Sequence, residues 1–160
     1  MKNFASAAAI LVAAASLAGA AQAAAQGAQY PSYQGEWKLN EAESHYPPGV
    51  PEMKDHHITV TKDDGVNLAY SDSLTVGGKP ISASFDGVYG GKPITMSSGQ
   101  VTRVYHDKDG FHDKWTGPDG SSGTDKCVFA ADGKRMNCTA RFKGKGQKTM
   151  MEAHEVWDRQ

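Results

Sequence analysis

The segment Val101-Thr-Arg-Val-Tyr-His-Asp-Lys-Asp-Gly-Phe-His-Asp-Lys-Trp115 contains two short β-rich runs on either side of an Asp-Gly pair. Alternating side chains are typical of half-buried strands, and Gly110 suits the left-handed residue that ends a three-residue hairpin loop. The segment therefore predicts an antiparallel hairpin. Similar runs, separated by Asp-Gly or Gly-Gly turns, recur along the chain. They predict strands over residues 36–39, 57–61, 66–70, 81–85, 94–96, 101–105, 111–115, 126–129, 136–142 and 149–157.

This arrangement of many short strands indicates an all-β fold. We expect an antiparallel up-and-down β-barrel of eight to ten strands, because such a barrel closes its own sheet edges. Residues 40–54 are expected to be irregular, since Pro47, Pro48 and Pro51 prevent regular structure there. Residues 40–44 have room for one helical turn.

Length and charge limit the classes of protein that remain. The 160 residues include 17 Lys and Arg against 18 Asp and Glu, a net charge of -1. One domain is the expectation for this length, and a balanced charge disfavours a nucleic-acid binder. Lys2, the apolar run 7–21 and the sequence Ala21-Gln-Ala23 predict a signal peptide over residues 1–23. The mature protein is then one barrel domain over 24–160, periplasmic or secreted, with no integral membrane segment.

The two cysteines predict a disulfide, because a cysteine pair outside the cytoplasm is usually oxidised. Asp132-Gly133 is a strong hairpin turn signal between them. If those two residues form the loop, Cys127 faces Cys138 directly. A three-residue loop would instead put the two side chains on opposite faces. The pair lacks the CxxC spacing of a redox or metal site.

The motif Gly35-Glu-Trp37 on the first predicted strand resembles the signature of lipocalins and their relatives, the calycins. Other short motifs are similar to those of secreted bacterial lipocalin-like proteins. They are Trp37-Lys-Leu-Asn40, Phe85-Asp-Gly87, Ala131-Asp-Gly-Lys134 and Val156-Trp-Asp-Arg-Gln160. The resemblance implies a barrel with an interior cavity, in which Trp37 packs across the closed end and Arg159 packs over Trp37.

The central hairpin supplies the candidate cavity residues. A loop of Lys108, Asp109 and Gly110 makes Asp107 face Phe111. The face that then carries more aromatic residues is predicted to be internal. It comprises Val101, Arg103, Tyr105, Phe111, Asp113 and Trp115, and the outer face comprises Thr102, Val104, His106, His112, Lys114 and Thr116. A loop longer by one residue would pair His106 with Phe111 instead.

These residues predict binding of a small hydrophobic or amphipathic molecule, without a cofactor. Arg103 and Tyr105 are expected to anchor a polar head, because an arginine binds a carboxylate or phenolate through two parallel contacts. Phe111, Trp115 and Phe85 are expected to form the apolar wall. An interior ion pair between Arg103 and Asp113 is the purely structural interpretation of the same residues.

Two other functions remain open. One is a cofactor-free lyase or isomerase in which Tyr105 or Asp113 transfers a proton while Arg103 stabilises negative charge. The other is a structural envelope protein whose barrel is filled by its own side chains.

The six histidines predict no metal site. His56 and His57 are adjacent in a strand and therefore point to opposite faces. His106 and His112 would lie close enough to share a metal if they faced each other, but no third ligand stands at a recognised spacing. A polar exterior is the expected location of these histidines.

Overall fold

A computed structural model describes residues 32–160, which form ten antiparallel strands. The strands are β1 (Gly35–Leu39), β2 (Met53–Asp63), β3 (Asn67–Val76), β4 (Lys79–Val88), β5 (Ile94–Thr95), β6 (Val101–Asp107), β7 (Gly110–Thr116), β8 (Ser122–Phe129), β9 (Arg135–Lys143) and β10 (Met151–Arg159). The predicted all-β fold is confirmed. The predicted signal peptide and its boundary at residue 23 lie outside the described residues.

Successive strands form a nearly closed barrel. Each strand pairs with the next in sequence from β1 to β4 and from β5 to β10, and β10 pairs with β1. The sheet order begins at β4 and ends at β5, so the barrel is open between these two strands. A bond from the Ser84 backbone N–H to Ser97 Oγ, 3.2 Å long, crosses this gap. No helix within residues 32–160 has the length and apolar character that crossing a membrane would require.

Trp37 is buried at the end of the barrel where β1 begins and β10 ends, which is called the closed end below. Its side chain is 1% exposed, and its indole N–H donates to the Tyr33 carbonyl at 2.8 Å. Arg159 is the pairing partner of Trp37 on β10, and its guanidinium carbon lies 4.6 Å from the ring centroid. The predicted packing of Arg159 over Trp37 is therefore confirmed.

The hairpin of β8 and β9 carries the predicted disulfide between Cys127 and Cys138. The two residues face each other across the ladder. The chain turns over residues 131–134, because the Ala130 backbone N–H already donates to the Arg135 carbonyl at 2.8 Å. The four-residue loop and the predicted two-residue loop are both centred on Asp132 and Gly133. The longer loop therefore leaves the cysteines opposite each other.

The predicted register of the central hairpin is wrong by one residue. Asp107 pairs with Gly110, so the loop contains only Lys108 and Asp109, and His106 pairs with Phe111. Asp107 Oδ1 accepts the backbone N–H groups of Asp109 (2.8 Å) and Gly110 (3.1 Å), which closes the shorter turn.

Gly110 belongs to strand β7 for a reason of packing. A Cβ atom there would collide with the Cys127 carbonyl oxygen and would lie 2.9 Å from the Tyr33 hydroxyl. The glycine therefore permits a close approach of neighbouring strands, rather than ending the loop. The shift places Thr102, Val104 and His106 on the same face as Phe111, Asp113 and Trp115.

The predicted irregular stretch is confirmed for residues 40–52, whereas Met53 and Lys54 already belong to β2. The stretch also contributes to the interior. The Ser44 backbone N–H donates to the Asn40 carbonyl at 3.0 Å, which makes a single turn. Tyr46 then reaches back to β10, where its hydroxyl donates to Glu155 at 2.8 Å. The stretch thus delivers one polar side chain from outside the sheet to the barrel interior.

Candidate functional site

The barrel contains a cavity of about 200 Å³ that is lined by two chemically different sets of residues, called its walls below. One wall is apolar and largely aromatic, with Trp37, Leu68, Tyr70, Phe111, Met136 and Trp157 among its residues. Gln100 lines the cavity as well, and the other wall is polar, with His56, Asp72, Asp113, Asp125 and Glu155. These five residues, called the polar wall below, come from strands β2, β3, β7, β8 and β10. The closed meander therefore gathers side chains that are far apart in sequence.

Asp113 and Asp125 form a carboxyl pair at the centre of the polar wall. They are direct partners on β7 and β8, and the Asp125 backbone N–H donates to Asp113 Oδ1 at 3.1 Å. Asp113 is 7% exposed. Burial, reinforced by the charge of Asp125, raises the pKa of Asp113 well above its usual range. Burial and the charge of Glu155 raise the pKa of Asp125 to about 6.

Such a pair retains a proton at a pH where exposed carboxyl groups have lost theirs, since two adjacent carboxylates repel each other.

Trp115 holds Asp125 in place. Its indole N–H donates to Asp125 Oδ2 at 3.0 Å. The ring lies across β8 at Gly123, where a Cβ atom would come within 2.6 Å of Trp115 Cζ2. Glycine at this position therefore provides the space that the indole needs to reach the carboxyl group.

Glu155 accepts two hydrogen bonds at the other side of the polar wall. Tyr46 donates its hydroxyl at 2.8 Å, and Trp157 donates its indole N–H at 3.2 Å. Burial and the adjacent Glu155 raise the pKa of Tyr46 above its ordinary value, so the phenol keeps its proton and remains a donor. Glu155 is thus oriented by neutral donors.

His56 and Asp72 complete the polar wall. His56 Nε2 lies 2.8 Å from Asp72 Oδ1, and its ring stands edge-on to Trp157 with centroids 4.5 Å apart. A carboxylate oxygen can only accept, so Nε2 carries the proton in this contact. His56 Nδ1 is buried without a hydrogen-bond partner.

The structure brings only some of the predicted site residues together. Phe111 and Asp113 line the cavity. Trp115 lies on the same face and contacts the polar wall through Asp125. Phe85 is buried in the core and stacks on Tyr70, which lines the cavity, at 5.4 Å between centroids.

Arg103 and Tyr105 lie on the opposite face of β6 from the cavity, contrary to the predicted register. The Arg103 guanidinium donates to the Gly90 carbonyl at 2.8 Å and lies 4.9 Å from the Tyr105 ring centroid. Tyr105 stacks on His112 at 5.1 Å. Arg103 and Asp113 are therefore on different faces, so the predicted interior ion pair is not formed.

The shifted register also separates the two histidines considered for a shared metal. His106 pairs with Phe111 on the inner face, and His112 pairs with Tyr105 on the outer face. Within the part of the chain that the structure describes, no three metal-binding side chains form a group suited to a metal ion.

Four members of the polar wall were not predicted as site residues: His56, Asp72, Asp125 and Glu155. One signal was available for Asp125. The disulfide directs Cys127 inward, and a residue two positions earlier on the same strand shares its face. His56, Asp72 and Glu155 come from strands whose register the local sequence did not fix.

Comparison of this chain with protein-family models, with curated proteins and with solved structures finds no match. Of the lipocalin-like resemblance, the structure supports the architecture, a nearly closed barrel of ten antiparallel strands.

Proposed function

We propose that the protein binds a small amphipathic molecule inside its barrel. The observation that carries the proposal is the lining of the cavity, which combines aromatic residues with hydrogen-bonding groups. Small-molecule sites commonly combine a mainly apolar lining with a few polar groups that orient the ligand. Phe111 contributes to the apolar wall, and Asp113 takes the polar role that the sequence assigned to Arg103 and Tyr105.

The size of the cavity limits the ligand. Pockets for drug-sized molecules occupy about 300–1,000 Å³, whereas this cavity has about 200 Å³. The ligand is therefore expected to be smaller than a typical drug, with one or two rings or a short alkyl chain.

We also propose that the protein is located outside the cytoplasm, in the periplasm or the extracellular medium. The Cys127–Cys138 disulfide supports this location, because disulfides persist in oxidising compartments.

The test is native mass spectrometry of the protein purified without denaturation from the cells that make it, followed by solvent extraction. We expect a stoichiometric small molecule. Ala83 lines the cavity, so Ala83→Phe should fill part of it and abolish the co-purifying mass. Ala131→Phe, on the exposed β8–β9 turn, is the matched control and should retain it. An empty wild-type protein would overturn the proposal and favour a barrel filled by its own side chains.

The Asp113–Asp125 pair favours one second candidate, a cofactor-free lyase or isomerase. Neighbouring carboxyl groups with raised pKa values are suited to donating and accepting a proton near neutral pH. Tyr105 has no part in this version, because it lies on the outer face. Incubating the extracted compound with fresh protein separates the two functions. A binder leaves the compound unchanged, whereas an enzyme consumes it and loses turnover in Asp113→Asn.

A further inference from the structure

Four of the five residues of the polar wall contribute carboxyl groups to one cavity. They are Asp72, Asp113, Asp125 and Glu155. None of the described residues that line this cavity is a lysine or an arginine. Buried carboxyl groups are normally paired with a cation, because taking an unpaired charge out of water is costly. Among the described lining residues only His56 can supply a positive charge, and it does so only when it is protonated.

His56 gives an independent indication that a ligand in the cavity would donate a hydrogen bond. Its side chain lines the cavity, the residue is only 8% exposed, and Nδ1 has no hydrogen-bond partner. Because Nε2 is committed as a donor to Asp72, Nδ1 is an acceptor whenever the ring is neutral. A buried acceptor without a partner is unfavourable, so a ligand that donates a hydrogen bond would satisfy it.

Building on the proposed interior binding, we infer that the ligand carries a cationic group with N–H donors, an ammonium or an amidinium, on a small aromatic or apolar body. An ammonium offers up to three donors and a positive charge to carboxyl groups and a ring nitrogen that can accept them. An anionic head would lie among four carboxyl groups and no lysine or arginine of the described lining. A neutral head would bring no positive charge to these groups.

The aromatic wall supports the same class of ligand. Trp157, Trp37 and Tyr70 line the cavity, and Tyr70 stacks on the core residue Phe85. Such faces pack against an apolar body and also attract a cation through their ring electrons. A small arylalkylamine would thus place its ring and its charge against the two different walls.

The test uses three probes that share one phenyl ring and differ in the head group. They are 2-phenylethylamine, 2-phenylethanol and 3-phenylpropionate, titrated calorimetrically into the disulfide-intact protein at pH 7.5. We expect the amine to bind at least about tenfold more tightly than the alcohol, because a buried charge pair contributes more than a neutral contact. The carboxylate is expected to bind most weakly.

Variants then assign the effect to the polar wall. Asp113→Asn with Asp125→Asn keeps the shape of both side chains and removes their charge. It should weaken binding of the amine at least about tenfold and leave that of the alcohol nearly unchanged. Glu155→Gln is the second variant, should the pair fail to fold. Asp119→Asn, at an exposed turn, is the matched control and should change neither affinity.

The outcomes separate this inference from the function on which it rests. Equal or tighter binding of the alcohol or the carboxylate would overturn the cationic head and leave interior binding intact. An amine affinity unchanged in both polar-wall variants would do the same. If none of the three probes binds, the inference is overturned, and the co-purification experiment decides whether the barrel binds another molecule.

Discussion

The closed end of the barrel and its polar wall differ in how far their charged groups are exposed to water. At the closed end, the Arg159 guanidinium lies over the Trp37 ring at 4.6 Å and donates to the Ser32 carbonyl at 2.8 Å, while remaining exposed to water. At the polar wall, Asp113 and Asp125 face each other inside the barrel. The Arg159 guanidinium therefore keeps its hydration, whereas the two buried carboxyl groups lose much of theirs.

Because of this difference, the residues of the closed end stabilise the fold, whereas the buried carboxyl groups of the polar wall lower its stability. Burying Trp37 contributes favourable hydrophobic free energy, and Arg159 adds a contact that needs no desolvation of the guanidinium. Burying a carboxyl pair lowers stability, and groups kept at such a cost are frequent at functional sites. Substitutions of Arg159 at the closed end should therefore reduce stability without changing the chemistry of the cavity, which Arg159 does not line. Substitutions at the polar wall should do the reverse.

The largest expected effect is on Trp37. Trp37→Ala removes a side chain that is 1% exposed, and such core truncations lower the free energy of unfolding by about 3–5 kcal/mol. Urea unfolding followed by circular dichroism measures the change. The control is Trp115→Ala, which removes a half-buried indole and should cost clearly less. Equal losses for the two tryptophans would contradict the larger contribution of Trp37 to the free energy of unfolding.

A smaller effect, of opposite sign, is expected at Asp113. Because the pKa of Asp113 and that of Asp125 are raised, the native state holds more protons than the unfolded state above about pH 4, the ordinary pKa of an aspartate. The contribution of the pair to stability therefore falls as pH rises from about 4 through 6. Asp113→Asn should remove much of this slope and increase the free energy of unfolding at pH 7 by about 1–3 kcal/mol.

Urea unfolding at a series of pH values tests this sign, with Asp119→Asn as the control. Hydrogen bonds from Ser121 lower the pKa of the exposed Asp119, so its contribution is present above about pH 4 and is lost as pH falls further. Its removal should thus leave the slope between pH 4 and 7 unchanged. A wild-type stability that increases with pH over this range would refute the assignment of the raised pKa values.

The closed end and the polar wall also differ in how far they can be predicted from the sequence. The strands, the disulfide and the Trp37–Arg159 contact depend on short local patterns: alternation, Asp-Gly turns and a Gly-x-Trp motif. The polar wall depends on register, and one residue fewer in the β6–β7 loop moves every β6 side chain to the other face. The local sequence predicts a loop position for Gly110, because its close contact with Cys127 involves a strand that is distant in sequence. Phe111 and Asp113 nevertheless line the cavity and Trp115 shares their face, because the error in register affects only β6.

The smallest expected effect is on Arg159. Arg159→Gln removes the guanidinium from the face of Trp37, and an exposed contact of this kind contributes about 0.5–1 kcal/mol to the free energy of unfolding. Arg159→Lys should lose part of this amount, because an ammonium keeps the charge but not the planar stacking. Both variants should bind 2-phenylethylamine as the wild type does. Weaker binding of the amine in a variant of unchanged stability would show that the closed end and the polar wall are coupled.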